Sequence, residues 1–182
     1  MELKQEYTEL NHSDYLDSKM NSDFDIIIFF DIDCIPLKPN LYEYLVDQVS
    51  DDNSIIGIEQ APNHINHNNI YAGPACFAIS KKTFENLGKP SFKLSDKVDT
   101  GGEFTISAKK NDVNVKLLNI VSSLNKKWKC GKKKFGNGTN YDDWIYHQFE
   151  VRVYDNRPEN QFGQYQFVNK CKEIMRKNGT FL

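Results

Sequence analysis

The chain has 182 residues, enough for one domain with a sizeable core. It carries 23 Lys+Arg against 25 Asp+Glu, a net charge of −2, and so lacks the basic excess of a dedicated nucleic-acid binder. The N-terminal stretch MELKQEYTEL has no signal-peptide apolar core and no apolar run is long enough to span a bilayer, so a soluble, cytoplasmic protein without a transmembrane segment is expected.

In chain order, Leu3, Tyr7, Leu10, Tyr15, Leu16 and Met20 sit at loose helical spacing and predict a helix ending near Asn21. Residues 26–30, IIIFF, are continuously apolar and rich in β-branched and aromatic types, the pattern of a strand buried on both faces in a parallel sheet. Pro36 and Pro39 break regularity, and a helix over 40–50 follows with Asn40 as N-cap. Residues 54–59 read as a strand, 60–72 as a polar loop, 73–80 as a strand, and 81–88 as a short helix closed by Gly88. A helix over 101–111 precedes a strand over 113–120; the lysine-rich 126–134 and glycine-rich 136–138 read as a mobile loop, and about 164–178 as an amphipathic C-terminal helix. Strands alternating with helices predict one α/β domain over 1–182, core about 24–150, with a mostly parallel sheet.

The run 26–30 ends on Asp31-Ile32-Asp33. In extended chain, residues two apart point the same way, so Asp31 and Asp33 converge on one point. Two carboxylates that close repel unless a cation lies between them. A hard divalent ion, Mg²⁺ or Mn²⁺, suits oxygen ligands and keeps positions open for phosphate oxygens. The plainer reading is a pair of strand-end carboxylates facing water. Cys34, Cys76, Cys130 and Cys171 are widely spaced with no C-x-x-C pair, which argues for free thiols in a reducing compartment over a zinc site or a disulfide framework. Cys34, beside the aspartates, reads as a buried thiol before a soft ligand.

The segment IIIFFDIDCIPL resembles the D-x-D element of metal-dependent glycosyltransferases with the GT-A fold. Three later segments stand in that family's order: IYAGPACFAIS (70–80), similar to its donor-sugar strand; DTGGEFT (99–105), similar to the D-x-G-x-x-[LF] element opening the acceptor-side helix; and YDDWIYHQF (141–149), similar to the segment whose histidine completes the metal site. The resemblance implies a GT-A-like, Rossmann-like, mostly parallel sheet flanked by helices. It implies Mn²⁺ or Mg²⁺ on Asp31, Asp33 and His147, holding the diphosphate of a nucleotide-sugar donor. Asp31, Ile32, Asp33, Gly73 and Lys132 then belong to donor binding, and the partner is a carbohydrate or other hydroxyl acceptor. Only 30 residues precede Asp31, where the family places several strands, so the base-cradling strands are expected to be missing. Relatives often carry Glu-Asp ahead of the D-x-G element, whereas SDKVDTGG offers Asp96 and Asp99.

Each residue has a second reading. His147 among Trp144, Ile145 and Phe149 is either a metal ligand or a hydrogen-bonded core histidine. Asp99 before two glycines is either a base for an acceptor hydroxyl or a helix N-cap, and Glu103 is the alternative base or a capping-box residue. His64 and His67 lie among asparagines in a loop that either touches sugar hydroxyls or is solvated. Lys126, Lys127, Lys129, Lys132, Lys133 and Lys134 around Trp128 form either a solvated face or a lid over the donor. The expected activity is transfer of a sugar from a nucleotide-diphosphate sugar to a hydroxyl. The rival is a non-catalytic carbohydrate- or partner-binding module on a truncated scaffold.

Overall fold

The structure, a computed structural model, describes residues 11–62, 69–151 and 158–177. In chain order the elements are α1 (His12–Met20), β1 (Ile26–Phe30), β2 (Cys34–Pro36), α2 (Leu41–Val49), β3 (Ser54–Gln60), β4 (Tyr71–Ser80), α3 (Lys81–Asn86), α4 (Gly102–Lys110), β5 (Asn114–Leu118), β6 (Ile120–Ser123), β7 (Trp128–Cys130), β8 (Lys133–Phe135), β9 (Thr139–Tyr141), β10 (Ile145–His147) and α5 (Pro158–Lys177). Among the described residues, no helix is long and apolar enough to cross a membrane.

The strands form two four-stranded sheets, β1-β4-β3-β5 and β2-β10-β9-β6, and the hairpin β7-β8. The expected mostly parallel, Rossmann-like sheet is not what forms. Among the described residues only β3 and β5 pair in parallel; β1–β4, β3–β4 and every pairing of the second sheet are antiparallel. The reason lies in the connections. A parallel neighbour needs a crossover of about a dozen residues or more, whereas β3 ends at Gln60 and β4 starts at Tyr71, and antiparallel pairing suits that short span. The α3–α4 segment carries the chain from the end of β4 past β3 to the same end of the sheet, so β5 runs parallel to β3.

Continuous apolarity located the strands but gave neither their direction nor, for β1, their burial. All residues of β3 and β4 are buried, because helices or a second sheet cover both of their faces. On one face Ile55, Phe77 and Ile79 meet Leu16 and Met20 of α1, Phe84 of α3 and Phe104 of α4. On the other, Ile56, Ile58 and Ala78 meet Leu41, Leu45 and Val49 of α2 and Tyr141 and Ile145 of the second sheet. Strand β1, predicted as doubly buried, is an edge strand with only Phe29 fully buried.

Two strands change sheets. The predicted strand 113–120 divides at Asn119, whose backbone N–H donates to Asp142 Oδ2 at 2.7 Å, so that β5 stays in the first sheet and β6 joins the second. The other change is at Asp31–Asp33, between β1 and β2. Bends of this kind are how a chain turns the corner between packed sheets.

The lysine-rich stretch is a hairpin, not the expected mobile loop. Cys130 pairs with Lys133 across a two-residue turn in which Gly131 has φ 57°, a conformation glycine adopts without steric cost. Asn40 does precede α2, but its side chain makes no capping hydrogen bond; Ser80 does cap α3, accepting from the Thr83 N–H. Helix α4 starts from Gly101 at φ 82°, two residues after Asp99, so Asp99 is not its N-cap residue. The C-terminal helix begins at Pro158, earlier than expected.

Candidate functional site

The site is built at the sheet corner. The Asp31 N–H donates to the Ala75 carbonyl (2.8 Å), ending β1 against β4; the Asp31 carbonyl then accepts the Cys34 N–H (2.9 Å). That contact between residues three apart makes Asp31–Cys34 a tight turn. A turn, not strand alternation, therefore brings the two carboxylates together. Ile32, at the tip, is 66% exposed, while Asp33 is buried. In the second sheet His147 stands opposite Cys34, and the Gln148 N–H donates to the Asp33 carbonyl at 3.0 Å. His147 Nε2 lies 3.1 Å from Asp33 Oδ1, and one ligand atom from each of Asp31, Asp33 and His147 falls within 4.8 Å of the others.

The donor set is two carboxylates and an imidazole, suited to Mn²⁺ or Mg²⁺. Neighbouring ligands of an octahedral cation with bonds of about 2.1 Å lie about 3 Å apart, close to the Asp33–His147 spacing. His147 Nδ1 is buried with no hydrogen-bond partner among the described residues, so this ring is not an ordinary satisfied core histidine. The residues present fit such an ion.

Around this cluster is a cavity of about 420 Å³. His12, from the first turn of α1, reaches it with Nε2 3.8 Å from Asp31 Oδ1. Phe149 covers the His147 ring, centroid to centroid 3.7 Å, and Trp128 packs on Phe149 at 5.6 Å. Phe149 and Glu150 both take positive φ, 57° and 58°, which is strained for non-glycine residues and bends the chain around the cavity. Lys127 pairs with Glu150 at the rim. Asp99 is 3% exposed, lines the same cavity, and accepts the Thr100 N–H at Oδ1 (2.8 Å). Tyr71 is buried beside it, its hydroxyl without a hydrogen bond of good geometry among the described residues. Burial first, and then the Asp99 charge, push its phenol well above the usual tyrosine range.

Cys34 and Cys76 lie under the corner. Burial chiefly, with the Asp31 charge next, raises both thiols above the ordinary cysteine range. The Cys34 thiol donates to the Ala75 carbonyl (3.2 Å), as a buried neutral group and not a soft metal ligand.

The remaining predicted residues divide. Glu103 does not line this cavity; its Oε2 accepts the Ser91 N–H at 3.0 Å. Gly73 is a packing glycine: a Cβ there would stand 2.4 Å from Gln60 Oε1, and its neighbours Pro74 and Ala75 line the cavity in its place. Lys132 lines a different cavity of about 580 Å³ with Lys126, Lys133 and Lys134, and Lys133 pairs with the buried Glu59 at 2.6 Å. His64 and His67 lie outside the described residues. Sequence reasoning missed His12, Gln60 and Tyr71. Tyr71 had a signal, opening the strand already assigned to the donor pocket; His12 and Gln60 had none, since folding alone brings them near Asp31.

Comparison of the chain with protein-family models, with curated proteins and with solved structures gives no match. The chemistry of the site therefore has to follow from its own residues.

Proposed function

We propose that the protein is a divalent-cation-dependent glycosyltransferase that moves a sugar from a nucleotide-diphosphate sugar to an acceptor hydroxyl. The observation that carries the reading is the convergence of Asp31, Asp33 and His147 on the cavity that Asp99 also lines. Asp31, Asp33 and His147 would hold Mn²⁺ or Mg²⁺, which supplies charge stabilisation to the donor diphosphate. His12 at the mouth of the cavity adds a hydrogen-bond donor toward phosphate oxygens, and Trp128 with Phe149 supplies an apolar wall that limits water. Asp99 accepts the proton of the acceptor hydroxyl. The acceptor oxygen bonds to the anomeric carbon while the bond from that carbon to the diphosphate oxygen breaks. The electron pair leaves with the nucleoside diphosphate. Tyr71, neutral at physiological pH, offers its phenol as a donor beside Asp99. The reading rests on this site, not on a parallel sheet. It places the protein in a reducing compartment such as the cytoplasm, in keeping with four free cysteines.

The test is calorimetric binding of UDP and GDP with and without Mn²⁺. The wild type should bind one of them only with Mn²⁺, and Asp31→Asn/Asp33→Asn should lose that binding. In EDTA the variant should melt at the same temperature or higher, since carboxylate repulsion is relieved. Equal Mn²⁺-dependent binding in both proteins would sink the assignment. Mn²⁺-dependent binding without turnover of any sugar nucleotide would favour a binding module.

A further inference from the structure

A second cavity, of about 320 Å³, adjoins the first. Tyr71 and Asp99 line both, so the two share a wall made of the proposed base and the buried phenol. Ile70, Val98 and Ile106 give the second cavity an apolar lining. Three cations also line it: Lys97 from the loop before α4, and Lys109 and Lys110 from the last turn of that helix. None of the three forms an ion pair with a described residue. The helix macrodipole accounts for cations at the end of α4. It does not account for Lys97, which comes to the same cavity from another segment. The Tyr71 hydroxyl is buried at the wall the two cavities share, with the Asp99 carboxylate as its partner.

We infer that this cavity is the acceptor subsite and that it selects a saccharide bearing an anionic group, a phosphate or a carboxylate. The inference rests on the transferase reading for its reaction, though not for its binding chemistry. The acceptor hydroxyl lies at Tyr71 and Asp99, where its proton passes to the Asp99 carboxylate as its oxygen bonds to the anomeric carbon. The anionic substituent lies toward Lys97, Lys109 and Lys110. The apolar side chains take the face of the sugar ring. A neutral sugar gains no attraction from the three lysines and an anionic one does, so charge sets the specificity of this subsite.

The experiment compares wild type with Lys97→Gln/Lys109→Gln/Lys110→Gln; all three side chains are exposed, so the fold should tolerate the change. Binding of glucose, glucose 6-phosphate and glucuronic acid is measured by NMR titration without metal or nucleotide. UDP and GDP binding with Mn²⁺ is measured separately. The wild type should bind one charged sugar at least tenfold more tightly than glucose, with the advantage shrinking as salt rises. The triple variant should lose that advantage and keep Mn²⁺-dependent nucleotide binding. Preference for the phosphate or for the carboxylate names the anionic group. Equal affinity for charged and neutral sugars, no measurable binding of either charged sugar, or an unchanged preference in the variant overturns the proposal. So does loss of nucleotide binding in the variant, which would assign the lysines to the donor. Failure of the Asp31/Asp33 test alone would remove the transferase reading and leave the sugar titrations to stand or fall by themselves.

Discussion

In the first sheet, β3 and β4 bury every residue, mostly under aliphatic and aromatic side chains. At the corner between sheets, Asp33, His147 and Gln148 are just as buried, yet polar. The two regions differ in what burial does. Apolar burial stabilises by about 25 cal/mol per Å². Burying a carboxylate costs free energy that its partners must offset. Asp33 has the His147 ring at 3.1 Å, but His147 Nδ1 lacks a hydrogen bond among the described residues. The sheet is built to fold; the corner holds an imidazole nitrogen whose hydrogen-bonding capacity the described residues leave unused. Stability and function should therefore separate on mutation.

The largest effect should come from the sheet. Phe77 is fully buried with Phe104 and Phe92 at ring distances of 5.2 and 5.7 Å. Phe77→Ala should cost about 3–5 kcal/mol, read as a lowered urea midpoint, with Mn²⁺-dependent nucleotide binding kept by the folded fraction. A stable variant that no longer binds would break the separation.

At the corner the reverse is expected. Asp99→Asn keeps an oxygen for the Thr100 N–H and removes the base. Sugar transfer should fall by about two to four orders of magnitude, while urea midpoint and nucleotide affinity stay near wild type. A wild-type rate would remove Asp99 from the chemistry.

A smaller effect concerns alkaline pH. Burial foremost, then the Glu59 charge, partly offset by Lys133, pushes the Cys130 thiol up to about 12. Its unfolded value is near 8.5. The folded state favours the neutral thiol, so this contribution is present below about pH 8.5 and is lost as pH rises toward about 12. Cys34 and Cys76 shift the same way. The urea midpoint should fall between pH 8 and pH 10.5, and less steeply in Cys130→Ala. A flat profile in the wild type would show that these thiols ionise as freely folded as unfolded.

The sequence by itself determined where most elements lie. The runs 26–30, 54–59 and 73–80 announce themselves as strands, and Leu41, Leu45 and Val49 as one face of a helix. It also marked Asp31 and Asp33, because two carboxylates ending an apolar run stand out chemically, whereas His147 and Asp99 were marked by the resemblance of their segments to the glycosyltransferase pattern. Tertiary structure decided the rest. Apolar patterning marks a strand, not which way its neighbour runs, so sheet direction waited on how the strands pair. Alternation suggested convergence of Asp31 and Asp33, but a turn closed by the Cys34 N–H produces it. His12 comes near Asp31, Tyr71 joins Asp99, and Lys132 turns to another cavity through contacts between residues far apart in the chain. Local propensity carries no information about such contacts; they exist only once the two sheets have packed.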